Sequence, residues 1–322
     1  FGEGLLFQIS NAPKKKQALQ CQRVAEILSK IGEPVEALKW NEKSVEFEPR
    51  YRLALAMENN KLGNKDEAVE LCLDGYSDTQ ELTYLIALTQ VLITGEANAV
   101  HFQKGNDAFN VALKRKDLPL KGKVNLLLSI ANVRIAGENK TDEAIELYEQ
   151  ANRLLPGNLL ILNNLATAYS ESSGNLKVAM DYINEAIIRH GNRPVLLDTK
   201  AVILMKQEKL TKALEILEDI TNNESDPRYW WHRAEVEYRM HQDTSNPSFL
   251  EAARQHFRFA ESLNLSNEIF TPDEKIRLDE LRENLSDSST ATNDTDVSKR
   301  LRHSSFNHRH VLSIQIGMQV AQ

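Results

Sequence analysis

One segment of this chain occurs twice in succession, and that constrains the fold more than any other feature. The stretch from Asn158 to Ile220 begins LLILNNLATAY and returns as PVLLDTKAVIL. In each copy a helix-length run with a small residue at its centre, Ala166 and then Ala201, is followed by a second run of the form Ala-x3-apolar-x2-small or apolar. The second runs carry Ala179, Ile183 and Ala186, then Ala213, Leu217 and Ile220, so that equivalent alanines stand thirty-four residues apart. Spacing of three and four residues is the period of a helix face. A repeat of this length is one helix pair, unable to bury its apolar faces alone, that must stack on copies of itself.

The same pattern extends outward in weaker form. Residues Phe1 to Gln17 have no clean period and hold Gly2, Gly4 and Pro13; they are expected to be an irregular or torn N-terminal segment (1–17). From Ala18 a helical run passes through Cys21, Val24, Ala25 and Leu28, stops at Gly32, and restarts at Pro34, whose ring presets the first helical turn. That second helix carries Ala37 and Ser44, ends before Pro49, and has the polar Asn41 where a bulky apolar residue is expected. The next unit, with Ala56, Gly63, Ala68, Cys72 and Gly75, is degenerate and its junctions are hard to place. The third has a strongly apolar first helix, Leu82 to Ile93, then Gly105, Phe109 and Ala112; the fourth restores the pattern with Ala131, Ala144, Tyr148, Ala151 and Pro156. Thr141 or Asp142 is expected to cap that unit's second helix. The seventh runs RYWWHRAEVEY, an insertion DTSNPS, then Ala253, Phe257 and Ala260. Here Glu235 falls at the small central position if Trp231 and Tyr238 set the register.

After Leu265, Thr271 and Glu274 form a capping box around Pro272, and Leu278, Leu281 and Leu285 line one face of the helix that follows. A lone amphipathic helix here is expected to cover the apolar face of the last pair. Beyond the helix, SDSSTATNDTDVSKR is polar and aperiodic and Val311 to Val320 alternates only weakly between apolar and polar, so a disordered tail over 287–322 is expected.

On these residues the chain resembles the tetratricopeptide repeat family, with Leu162, Leu165, Ala166 and Tyr169 standing where the family pattern has Trp, Leu, Gly and Tyr. The likeness covers roughly 18–265, about seven helix pairs, with 266–286 as capping helix. It implies an all-α, right-handed superhelical solenoid of antiparallel helix pairs. More narrowly, NNLATAY, LLDTKAVIL and TPDEKIRLDEL resemble the C-terminal array of long bacterial repeat proteins, planctomycete ones among them, some linked to exopolysaccharide and exosortase systems. The family lines its inner, concave wall with the first helix of each pair. In this chain that places Tyr84, Leu88, Asn132, Asn163, Thr167, Ser170, Asp198, Val202, His232 and Arg239 on a partner-binding face. An extended or helical peptide fits such a wall, apolar anchors supplying affinity and amides bonding its backbone. The apolar patch from Tyr84 to Leu128 can instead pack against a neighbouring helix. The paired lysines with which some members clamp a C-terminal carboxylate have no counterpart here, so acidic chaperone tails are not expected ligands.

Composition narrows the remaining classes. A net charge of −7 argues against a nucleic-acid surface, which needs clustered Lys and Arg; Lys14-Lys15-Lys16 and Lys114-Arg115-Lys116 are read as solvated helix-end or loop charge. Cys21 and Cys72, the two cysteines, lie at helical positions in different units and imply small core residues. No Gly-rich phosphate loop, metal-spaced Cys or His pair, or Gly-x-Ser-x-Gly elbow occurs, so no cofactor, metal or catalytic residue is assigned. His303, His308 and His310 are read as tail residues, and Trp231 as a packing residue. No apolar run approaches the roughly 20 residues of a membrane-spanning helix. A cytoplasmic setting is favoured and an envelope or periplasmic one kept open; the chain opens on Phe1 and is read as a fragment or processed chain. The expected function is a non-enzymatic scaffold for a protein or peptide partner. The alternative is the docking or regulatory array of a larger enzyme, of glycosyl or sulfuryl transferase type, or of an exosortase-linked envelope system.

Overall fold

The computed structural model describes residues 13–94, 96–172, 175–265 and 270–286. Among them the regular elements are helices, with no strand. The expectations for residues 1–12 and 287–322, the three tail histidines included, lie outside the described residues. The chain divides into two compact units, the first ending at Leu155 and the second beginning at Pro156.

The first unit holds four helix pairs: α1 (Lys14–Lys30) with α2 (Pro34–Phe47), α3 (Arg52–Lys61) with α4 (Lys65–Thr79), α5 (Leu82–Ile93) with α6 (Ala99–Leu113), and α7 (Leu120–Asn132) with α8 (Thr141–Leu154). Helix α1 starts ahead of Ala18, with Lys14–Lys16 in its first turn. Pro34 occupies the first turn of α2 as expected, and Gly63 closes the α3 turn at φ +81°, a left-handed conformation that a side chain resists. Within each pair the small residues sit where helices approach most closely: Ala37, Ala56, Ala68, Ala112, Ala131, Ala144 and Ala151 are wholly enclosed, and Phe109 and Tyr148 interlock one turn away. Asn41 takes the bulky position of α2 and is buried with its Oδ1 unbonded, a local cost in a weak repeat. Lys65 is the tie in the degenerate second unit. Its buried ammonium donates to Asn60 Oδ1 at 2.5 Å and to the Val91 carbonyl at 2.8 Å, satisfying the C-terminal end of α5, while burial lowers its pKa. Both thiols are free and buried; burial pushes that of Cys72 up to about 12, which makes it inert.

One capping expectation fails. Helix α8 begins at Thr141 with Lys140 at its N-cap and no side-chain cap, because Thr141 already has helical geometry and an N-cap residue must stand outside it. A cap that was not foreseen opens α6, where Asn98 Oδ1 accepts from the backbone N–H of Val100 and His101, and His101 Nδ1 accepts from the Asn98 N–H. Between α7 and α8 the chain makes a π-helical turn, Val133–Gly137, that packs against α5.

The second unit holds α9 (Leu159–Glu171) with α10 (Leu176–His190), α11 (Pro194–Lys206) with α12 (Leu210–Thr221), and α13 (Pro227–Thr244) with α14 (Pro247–Ser262); α15 (Pro272–Ser286) follows. Ala166, Ala179, Ala186, Ala201 and Ala213 are fully enclosed, and Ile183 and Leu217 lock between them. The expected insertion after Tyr238 is partly absorbed into α13, which runs to Thr244 before Asn246 caps α14. The register expected for this pair is corrected by one residue. Ala234, wholly buried, is the small central residue, and Glu235 is turned toward α15, its carboxylate bound by Arg277 of α15 and by Arg239 of its own helix.

Candidate binding site

In the second unit the first helices α9, α11 and α13 lie side by side. Each has its start fixed locally: Asn158 Oδ1 accepts from Leu160 and Ile161 N–H, Pro194 opens α11, and Asp226 accepts from Arg228 N–H ahead of Pro227. With the starts fixed, helical phase determines which side chains share this wall. Asn163, Thr167 and Ser170 of α9, Asp198 and Val202 of α11, and His232 of α13 line one cavity of about 60 Å³. Six of the ten residues expected on a partner-binding face therefore meet at one place.

The cavity floor is polar and largely spoken for. Thr167 Oγ1 donates to the Asn163 carbonyl at 3.1 Å, and Ser170 Oγ to that of Thr167 at 2.7 Å, so both hydroxyls spend their protons on their own helix. His232, 2% exposed, is bonded through Nδ1 to Asp198 Oδ1 at 2.8 Å. Its Nε2 has no partner, and among the described residues the same holds for Asn163 Oδ1 and Asn164 Nδ2. Buried polar atoms without partners are rare enough in folded proteins to require a reason.

Helix α15 closes one side. Thr271 and Glu274 form the expected capping box: Glu274 N–H donates to Thr271 Oγ1 at 3.2 Å, and Thr271 N–H to Glu274 Oε2 at 2.8 Å. Glu274 also accepts from Arg228 Nη1 at 2.6 Å, and both residues line the cavity. Leu278, Leu281 and Leu285 pack with Trp230, Trp231 and Phe257 over the last pair. The N-terminal end of α15 instead reaches across the first helices, where Thr271 Oγ1 donates to Glu171 at 2.6 Å and Lys206 binds Asp273 at 2.9 Å. The charges respond accordingly. Burial pushes Glu171 up to about 7, reinforced by the Glu274 carboxylate and only partly offset by Thr271 and Lys206. Burial acts upward on Glu274 and Glu235 as well, but Arg228 on the first and Arg277 with Arg239 on the second override it and hold both carboxyls below their usual range.

Four expected residues are elsewhere. Tyr84 and Leu88 are core residues, 3% and 0% exposed. Helix α5 is enclosed by α3, α4, α6, α7 and the Val133–Gly137 turn, so the apolar patch packs internally and offers a partner nothing. Asn132 is buried, and its Oδ1 accepts from the Tyr148 hydroxyl at 2.5 Å inside its own pair. Arg239 lies in a separate opening between α13 and α15, its charge spent on Glu235 at 2.7 Å. Missed by sequence reasoning were Asn164, Arg228 and Glu274; the capping box marked Glu274 as a helix start, but nothing local showed which wall that start abuts. Among the described residues no helix is long and apolar enough to cross a membrane.

The chain has the tetratricopeptide repeat fold. A tetratricopeptide repeat protein from Parabacteroides merdae matches it with a TM-score of 0.57 at 14% identity, over 82% of this chain and 98% of the other. Yeast Tom70 matches with a TM-score of 0.56 at 15% identity, over 89% of this chain and 61% of Tom70. No family model matches the sequence, and no curated protein does.

Proposed function

We infer that this chain is a non-enzymatic interaction scaffold that holds a segment of a protein partner against α9, α11 and α13. The observation that carries this reading is the cavity shared by these three helices, which polar side chains from all three line together. The fold supports the same reading, since stacked helix pairs offer an extended wall for recognition.

The test is affinity capture from native extract with two variants. Val202→Arg places a long cation at the half-buried mouth of the cavity; Ile188→Arg alters α10 at a side chain 84% exposed, away from it. Loss of the partner with Val202→Arg, retention with Ile188→Arg and unchanged helical circular dichroism in both are expected. Equal capture by all three proteins contradicts the wall as binding surface.

A further inference from the structure

We propose that the outward face of α1, continued by the start of α2, is an isologous interface through which two copies of this chain associate with their α1 helices antiparallel. Such self-association goes beyond partner binding at α9, α11 and α13 and does not depend on it.

Exposed aliphatic side chains are ordinary where they are scattered. Here they are gathered. Among the described residues ten large hydrophobic side chains are exposed, and four of them, Leu19, Ile27, Ile31 and Val35, fall on α1 and its turn into α2. Ile27 and Ile31 are 61% and 67% exposed. With Leu19 and the exposed Arg23 they recur every four residues, which makes one ridge along the helix. Stacking explains why the ridge is bare. Helices α3, α5, α11 and α13 each pack against the second helix of the preceding pair, whereas the main contact of α1 is with α2.

Charge selects the occupant. The first turn of α1 carries Lys14, Lys15 and Lys16, with no acid and no side-chain cap, an arrangement that opposes the helix dipole. At the other end Glu33 and Glu36 are exposed beside Val35. Lys39 pairs with Glu36 at 2.5 Å, and Lys30 lines the opening shared with Glu58. An anionic lipid surface or nucleic acid would attract the lysines and repel the glutamates, and the ridge has no aromatic side chain of the kind that anchors an interfacial helix. A ridge that is basic at one end, apolar along its length and acidic at the other complements its own inverse, which an isologous contact requires. About an axis midway along the ridge, Leu19 meets Ile31 of the second copy, and Lys15 and Lys16 meet its Glu33 and Glu36. A parallel arrangement would set lysine against lysine.

The interface is small. Helix α1 has 17 residues, about 25 Å of length, and one helix on another buries less than the roughly 1,200 Å² of a stable complex. Dissociation in the micromolar range is therefore expected.

Sedimentation velocity of the full 322-residue chain across micromolar concentrations tests this, and a monomer–dimer equilibrium is expected. Ile27→Glu should weaken it by at least about 10-fold, while Ile188→Arg on α10 leaves it unchanged. Charge reversal reads the register: Lys15→Glu with Lys16→Glu, and Glu33→Lys with Glu36→Lys, should each weaken self-association, and an equimolar mixture of the two proteins should restore the dimer. All these positions are exposed, so helical circular dichroism should match wild type throughout. A chain that stays monomeric overturns the proposal, whether residues 1–12, a lipid surface or another protein covers the face. A dimer indifferent to Ile27→Glu, or a mixture of reversed proteins that stays monomeric, overturns it equally. Capture of a partner that Val202→Arg abolishes is unaffected by any of these results.

Discussion

At the scale of single residues, the fold is set by where nothing larger fits. Gly75 of α4 lies against the ring of the buried Tyr84, and a Cβ built there would stand 2.2 Å from Tyr84 Cε1. Gly75→Ala should therefore cost about 1 to 3 kcal/mol in urea denaturation despite the higher helix propensity of alanine, and a stabilised variant would contradict the packing. Such positions were legible in advance because close approach restricts residue type locally, which is why Ala166, Ala179, Ala201 and Ala213 announced the repeat. Glu235 was misread for the complementary reason. Its neighbour Ala234 satisfies the close contact, and the partner of Glu235, Arg277, stands on another helix forty-two residues away, where no local pattern reports it. Glu171 yields a pH prediction. Its folded pKa of about 7 lies above the ordinary 4.5, so its contribution is fully present below pH 4.5 and is lost as pH rises through 7. Glu171→Gln imitates the protonated acid. The urea midpoint of the variant should match wild type near pH 4 and exceed it increasingly between pH 5 and 8; the lowered pKa values of Glu235, Asp273 and Glu274 act at acid pH in both proteins and cancel in the difference. A difference that does not vary with pH would contradict the shift.

At the scale of elements, α15 does two jobs with two ends. Its leucines cover the last helix pair, which a solenoid end requires, and its capping box delivers Glu274 to Arg228 on the first-helix wall. Both side chains are nearly buried. Glu274→Ala should thus destabilise the second unit by about 3 to 5 kcal/mol, whereas the double variant Arg228→Met, Glu274→Leu should recover most of that loss. Thermal unfolding of the three proteins checks it, and a double variant no better than the single one would deny that the pair is what matters. The helix itself could be read from Thr271, Pro272, Glu274 and the leucine face. Its crossing of the wall could not, because that depends on contacts such as Lys206 with Asp273, sixty-seven residues apart. The same limit explains α5: its apolar face had the phase of a binding wall, and its enclosure depends on four helices together with the π turn after α7, which periodicity does not report.

At the scale of the molecule, each unit leaves an opening between first helices: in the first unit Gln22, Glu26 and Ser29 of α1 line one with Met57 and Glu58 of α3. In the first, the strongest apolar helix is consumed by packing; in the second, the paired copies at Asn158 to Ile220 pack through their alanines and leave amides and hydroxyls on the wall, which His232 of α13 continues. The central claim is that a partner docks on this wall. Hydrogen–deuterium exchange of the full chain, with and without the captured partner, measures it most directly. The account predicts added protection in peptides spanning 159–171, 194–206 and 227–239, with 176–190 and 210–221 unchanged. Protection confined to α10, α12 and α14, or to the first unit alone, would contradict it.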